Sequence, residues 1–159
     1  MVLLETIAVA FAMLSAFPVP QPVWGPRNMR YALCALPLIG GVIGLAQALW
    51  QMTANWLCMP EMLRGAGLCL IPILLTGGIH LDGYADTSDA LASCAPPEKK
   101  QGILKDPRCG AFAVIRLGVW FVASFALCTA VRLDDPALAC FGMSFVLSRA
   151  LSGWAVATF

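Results

Sequence analysis

Three aspartates occur at helical spacing in the middle of the chain: Asp82, Asp86 and Asp89. At about 100° per residue, the spacing i, i+4, i+7 places the three carboxylates on one helix face, within roughly 60° of one another. Carboxylates this close repel one another unless a cation lies between them. Because Mg²⁺ is typically held by one or two carboxylates together with substrate phosphates, the triplet predicts a Mg²⁺–diphosphate site. The alternative from spacing alone is a solvated acidic face.

A second cluster of ionisable residues follows and is rich in cations: Lys99, Lys100, Lys105 and Arg108. Lys and Arg neutralise phosphate oxygens, and Arg does so with two parallel hydrogen bonds. Carboxylates for a metal and cations for phosphate together indicate phosphoryl transfer. The alternative is that these cations only set the membrane topology and bind anionic headgroups. Asp106, which lies between two of the cations, can act as an ion-pair partner, a further metal ligand or a base.

The only histidine of the chain, His80, precedes Asp82 by two residues. Its place beside the carboxylates predicts a role in substrate binding or proton transfer, and the alternative is a purely structural histidine. Gly77 and Gly78 come just before it. A glycine pair either lets the backbone approach a ligand closely or simply breaks the helix.

Composition and charge distribution indicate where these residues lie. The chain is 60% apolar and 12% charged with a net charge of +1, whereas soluble domains are about 25% charged. The near-balance of charge excludes a nucleic-acid binder held by a basic face. Long stretches with at most one charged residue each match the roughly 20 residues of a bilayer-spanning helix. We predict an all-α, polytopic transmembrane bundle of four to five segments, over residues 2–17, 35–57, 65–81, 112–131 and from 137 onwards.

Two of these segments carry further information. The first is interpreted as a retained re-entrant or interfacial helix or a short span, because its start holds Glu5 and no Lys or Arg, unlike a signal peptide. In the second, Gly40, Gly41 and Gly44 put small residues four apart, which predicts close approach of another membrane helix. The alternative is glycine that is merely tolerated in lipid.

The charged segment between the third and fourth spans must lie outside the hydrocarbon. Nine charged residues fall between Asp82 and Arg108, and each would cost roughly 3 kcal/mol at the bilayer centre. Only two basic residues, Arg64 and Arg132, occur in the short turns on the other side. The positive-inside rule therefore places the charged segment in the cytoplasm. Seven basic residues share its side: Arg27, Arg30, Lys99, Lys100, Lys105, Arg108 and Arg116.

Two motifs resemble those of a known family. The stretch from Thr76 to Asp89, TGGIHLDGYADTSD, resembles the signature of the cobalamin synthases, or adenosylcobinamide-GDP ribazoletransferases. The stretch from Ile103 to Phe112, ILKDPRCGAF, is similar to the second motif of that family. Supporting similarities occur in family order through nearly the whole chain, at residues 17–20, 36–41 and 147–149.

The resemblance implies a membrane-embedded, Mg²⁺-dependent transferase of vitamin B12 assembly, which we expect in the bacterial cytoplasmic membrane. By the positive-inside rule, its active-site loop faces the cytoplasm. Such enzymes join adenosylcobinamide-GDP to α-ribazole or its 5′-phosphate and release GMP. The hydroxyl of the ribazole would attack the phosphorus that carries cobinamide. The implied site residues are Asp82, Asp86 and Asp89 for Mg²⁺, Lys105, Asp106 and Arg108 for phosphate, and His80 lining the site. Gly77 and Gly78 are further candidates for substrate binding. Our hypothesis for the proton acceptor is Asp86, Asp106 or His80.

Two other functions compete with this interpretation. One is another Mg²⁺-dependent membrane phosphotransferase that acts on a nucleotide-diphosphate-linked donor. The other is a transporter or a corrinoid-binding subunit, which is disfavoured because only Arg149 lies well inside a span. The resemblance also implies that residues 1–159 form a single domain without the C-terminal helices of the family. Assembly into a homo-oligomer is left open.

Overall fold

The structure is a computed structural model that describes residues 2–20, 22, 24–25, 29 and 31–158. Arg27 and Arg30, two of the cations behind the predicted orientation, lie outside the described residues. The described part contains helices and no strand, which confirms the all-α prediction. Its elements are α1 (Val2–Leu14), a short 3₁₀ helix (Ala32–Ala35), α2 (Leu36–Trp56), α3 (Glu61–Thr76), α4 (Ile79–Ala92), α5 (Pro97–Ile103), α6 (Ala111–Ala130) and α7 (Asp135–Thr158).

Three elements are long and apolar enough to cross a bilayer: α2 together with the 3₁₀ helix before it, α6 and α7. A fourth crossing exists if α3 and α4 count as one bent span. The multi-pass prediction is thereby confirmed, with three to four candidate spans in the described residues instead of four to five. The difference is α1, whose 13 residues are fewer than a typical span needs. Its Val9 and Ala10 pack against Ala32 and Ala35 of the 3₁₀ helix.

The prediction of one uninterrupted third segment over residues 65–81 is wrong at both ends. Helix α3 begins at Glu61, so Arg64 lies in its first turn and not in a connecting turn. It ends at Thr76, and the next helix leaves at 90°. The cause is the glycine pair, since Gly77 and Gly78 have φ of 64° and 79°, a left-handed conformation that favours glycine. Of the two interpretations of this pair, the structure shows the helix break.

Small residues bring α2 and α7 together, as the glycine spacing predicts. A Cβ added at Gly40 would lie 2.5 Å from the carbonyl oxygen of Phe145, and one at Gly44 would lie 2.8 Å from that of Gly142. Close approach is therefore confirmed for these two glycines. It does not extend to Gly41, where an added Cβ meets nothing within 4 Å.

Buried Arg64 joins three helices at the opposite end of α3 from the glycine break. Its Nη2 donates to the carbonyl oxygens of Thr129 and Val131, at 3.3 and 3.1 Å, and its Nη1 donates to Gln51 Oε1 at 3.4 Å. Trp50 Nε1 in turn donates to the backbone oxygen of Arg64 at 2.9 Å. A cation at the C-terminus of α6 also complements the helix dipole. The arginine therefore connects α2, α3 and the end of α6.

The adjacent glycines of α2 provide a matched test of this packing. We expect Gly40→Ala to lower the stability by about 1–3 kcal/mol, because the new methyl group meets rigid backbone of α7. Gly41→Ala adds the same methyl group to open space and should leave the stability unchanged or raise it slightly. Thermal unfolding in detergent micelles measures both, and equal melting temperatures for the two variants would contradict the close contact of α2 and α7.

Candidate functional site

Helix α4 presents its ionisable residues on two different faces. At about 100° per residue, Tyr84 lies roughly 40° from His80 around the helix axis, whereas Asp82 lies roughly 160° from His80. Asp82 is exposed, while Asp86 and Asp89 are partly buried. The predicted helical spacing of the aspartates is confirmed. His80, although close in sequence, does not share a face with Asp82, and its predicted role beside the carboxylates remains a prediction.

Asp89 holds the second motif against the first. Its Oδ2 accepts a hydrogen bond from the backbone N–H of Gly110 at 2.7 Å, and its Oδ1 accepts one from Ala113 at 2.8 Å. These N–H groups belong to the start of α6, where an anion also complements the helix dipole. A Cβ added at Gly110 would lie 2.7 Å from the Asp89 oxygens, so a larger residue here would displace the carboxylate. Asp89 thus joins α4 to the end of the cationic loop.

The carboxylates of Asp82 and Asp86 are available to a ligand. Neither accepts a hydrogen bond from a side chain or pairs with a cation among the residues that the structure describes. Within those residues, no three acidic, histidine or cysteine side chains could together hold a metal ion. Two carboxylates one helical turn apart nevertheless match the usual protein share of a Mg²⁺ shell, which substrate phosphates and water complete. The donor set therefore suits Mg²⁺ held by Asp82 and Asp86, and ligation by Asp89 remains a prediction.

Asp106 and Arg108 pair with each other in the loop before α6. Arg108 Nε donates to Asp106 Oδ1 at 2.9 Å, Nη2 donates to Oδ2 at 2.8 Å, and the Arg108 backbone N–H donates to Oδ1 at 3.0 Å. The side-chain hydrogen bonds are the main reason that the pKa of Asp106 falls from 3.8 to about 2. Of the three predicted roles, the structure shows the ion-pair partner. A carboxylate with this pKa is a weak base near neutral pH.

The three lysines of the polar segment stay free of ion pairs within the described part of the chain. Lys99 and Lys100 lie on α5, and Lys105 lies in the turn that follows it. Lys99 and Lys105 are exposed and Lys100 is partly buried. All three can thus contact an anion that approaches this end of the bundle, and their role in phosphate binding remains a prediction.

The structure also shows a cavity of about 290 Å³ on the opposite face of α4 from Asp82. His80 and Arg149 both contribute to its wall, a juxtaposition that the sequence does not predict. One feature of the sequence does point to Arg149: it is the only charged residue in the last apolar segment. The full lining is Pro72, Ile73, Thr76, His80, Leu81, Tyr84, Trp120, Phe145 and Arg149.

The fold and the site together define a multi-pass helical membrane protein with an acidic helix joined to a cationic loop at one end of the bundle. Residues 6–159 match the cobalamin-5-phosphate synthase family, and the chain belongs to this family. The chain spans about three fifths of the length of its more fully aligned curated relatives. A comparison with solved structures found no match.

Three relatives named adenosylcobinamide-GDP ribazoletransferase illustrate the similarity. The protein from Lachnoclostridium phytofermentans is 44% identical over 98% of this chain and 59% of its own length. The protein from Clostridium perfringens strain 13 is 33% identical over 94% of this chain and 60% of its own length. The protein from Pseudomonas fluorescens is 34% identical over 77% of this chain and 51% of its own length.

Removing the contact between Asp89 and α6 should loosen the start of α6. We expect Asp89→Asn to cost about 0.5–2 kcal/mol, the usual range for a lost helix cap, because an amide offers one acceptor oxygen to two N–H groups. Gly110→Ala should act similarly by displacing the carboxylate. Amide hydrogen exchange at Gly110 or Ala113 and thermal unfolding measure the effect.

Matched controls exist for both substitutions. Asp82→Asn changes an aspartate on the same helix that has no side-chain partner, and Gly102→Ala adds a methyl group where nothing lies within 4 Å. Both should leave amide exchange at Ala113 unchanged. If Asp89→Asn behaved like Asp82→Asn, the positioning role of Asp89 would be refuted.

Arg108 should control the ionisation of Asp106. With the guanidinium in place, the carboxylate keeps its charge until the pH falls through about 2. We expect Arg108→Gln to raise the pKa of Asp106 towards 3.8, its value without these hydrogen bonds. A ¹³C-carboxyl NMR titration measures the pKa, with Lys105→Gln as the control that leaves it near 2. A pKa that stayed near 2 in Arg108→Gln would show that the pair does not form.

Proposed function

We propose that the protein transfers the adenosylcobinamide-phosphate group of adenosylcobinamide-GDP to α-ribazole or α-ribazole 5′-phosphate and releases GMP. Membership of the family and the name of the curated relatives support this function. The observation that carries it is the contact between Asp89 and Gly110, at 2.7 Å. This contact brings the acidic motif and the cationic motif together, which phosphoryl transfer between charged substrates requires.

Asp82 and Asp86 would hold Mg²⁺ in this reaction, since they are the two carboxylates on this face without other partners among the described residues. Bound there, the ion would neutralise charge on the diphosphate of the donor. Lys105 and Arg108 would orient the phosphates from the adjoining loop. Asp89 would keep that loop in register with α4 through its two hydrogen bonds to the start of α6.

The proton of the attacking hydroxyl needs an acceptor on the same face as the carboxylates. Asp106 is disfavoured because the pKa of about 2 makes it a weak base. His80 is disfavoured because it lies on the other side of α4. We therefore propose that a carboxylate oxygen of Asp86 receives this proton.

The contacts at the two ends of α6 support a proposal for the orientation in the membrane. Arg64 contacts the carbonyl of Val131 at one end, and Asp89 contacts Gly110 at the other. The 20 residues of α6 separate these ends by about 30 Å, close to the thickness of the hydrocarbon core. Arg64 and Arg132 therefore lie at one end of α6, and Arg108 lies near the other. We propose that the Asp82 side, which has more Lys and Arg, faces the cytoplasm.

Asp82→Asn and Asp86→Asn test the proposal directly. Each removes the charge of one proposed Mg²⁺ ligand, so we expect GMP release to fall on the order of a hundredfold or more. The assay measures GMP from adenosylcobinamide-GDP, with and without Mg²⁺ and α-ribazole, in membranes that contain the full-length protein.

Glu98→Gln is the matched control, because Glu98 is an exposed acid of the same polar segment on α5. It should retain wild-type turnover. Wild-type turnover in Asp82→Asn or Asp86→Asn would remove the metal assignment. GMP release that did not depend on α-ribazole would instead contradict the proposed acceptor.

A further inference from the structure

The cavity beside His80 and Arg149 has the features of a ligand pocket. It lies between α3, α4, α6 and α7, on the face of α4 that points away from Asp82. Its volume of about 290 Å³ is close to the lower limit of ordinary small-molecule sites, roughly 300 Å³. Three aromatic side chains line it: Tyr84, Trp120 and Phe145. A flat apolar or aromatic body therefore suits its walls.

Two nitrogen atoms of the lining residues are buried without a hydrogen-bond partner among the described residues. They are Nε2 of His80 and Nε of Arg149. Arg149 makes one hydrogen bond there, from Nη1 to Ser148 Oγ at 3.4 Å, although a guanidinium carries five N–H donors. No carboxylate of the described residues pairs with it. Apolar side chains and two polar side chains with unsatisfied nitrogen atoms therefore line the same cavity.

An unpaired arginine within a membrane segment indicates function, because the bilayer makes such a charge costly unless something pairs with it. The planar guanidinium is suited to oxyanions and binds phosphate through parallel hydrogen bonds. His80 and Arg149 both line this one cavity, so a single bound group can contact both. Two donors from different helices can surround a tetrahedral phosphate on two sides.

We propose that this cavity binds a phosphate group carried on an apolar or aromatic body, through Arg149 and His80, at a site separate from the aspartate face of α4. Such a phosphate has two sources: a soluble phosphorylated compound, or the headgroup of a membrane lipid. The proposal rests on this cavity and does not depend on the proposed transfer reaction.

Because His80 is the only histidine, it provides a single-site NMR reporter. The protein is labelled on the imidazole ring, purified without a polyhistidine tag and kept in dodecyl maltoside, which contains no phosphate. Phenyl phosphate and dihexanoyl phosphatidylglycerol are titrated separately. We expect one of them to shift the imidazole signals saturably. A response to phenyl phosphate identifies a soluble source, and a response to the lipid alone identifies a headgroup.

Variants separate phosphate binding from unspecific effects. Arg149→Gln should weaken the binding at least tenfold, and Arg149→Lys, which keeps the charge, should weaken it less. Arg116→Gln is the matched control, because Arg116 is exposed on α6. Asp82→Asn should also bind normally, since it lies on the other face of α4.

Three results would overturn the proposal. The first is that neither phosphate compound shifts the His80 signals of the wild-type protein, an outcome that does not depend on any variant folding. The second is equal binding by Arg149→Gln and the wild type. The third is that phenol, which has the ring but no phosphate, binds as well as phenyl phosphate.

Discussion

The architecture depends on two consecutive left-handed residues, Gly77 and Gly78. Gly77 N–H donates to the Leu74 carbonyl, and Gly78 N–H donates to the Ile73 carbonyl, so the pair closes the end of α3 in a Schellman arrangement. The chain then turns by 90° into α4. Residues with a Cβ rarely adopt this conformation, so two left-handed positions in succession favour glycine at both. Because of this turn, α4 crosses the end of the bundle and does not extend α3.

Because α4 crosses the end of the bundle, its two faces contact different parts of the protein. The aspartate face is turned towards the polar segment, while the face with His80 closes a cavity against α3, α6 and α7. Helix α6 is held at both ends by groups of the sign that its dipole favours. Asp89 contacts its N-terminal N–H groups, and Arg64 contacts its C-terminal carbonyls. These two contacts lie at opposite ends of α6, which is long and apolar enough to cross a bilayer.

Much of the fold could be predicted from local patterns. Apolar stretches with few charged residues indicate α2, α6 and α7, because a bilayer selects length and apolarity, both of which are readable along the chain. The prediction for the third segment is wrong because the apolar stretch continues through the glycine break to Leu81. The break depends on the positive φ of two glycines, and hydropathy carries no information about φ. The glycine spacing predicted the contact with α7, but tertiary packing decided that Gly40 faces the partner and Gly41 does not.

The sequence by itself determined the membrane class, the family resemblance and the common face of Asp82, Asp86 and Asp89, because these depend on composition and on the constant rotation per residue of a helix. Only the tertiary structure decided which residues lie against each face of α4. Asp89 finds its partners 21 and 24 residues away, and His80 lines the same cavity as Arg149 of another helix. Helical periodicity specifies the direction of a side chain relative to its own axis, but only the packing of helices specifies what lies in that direction.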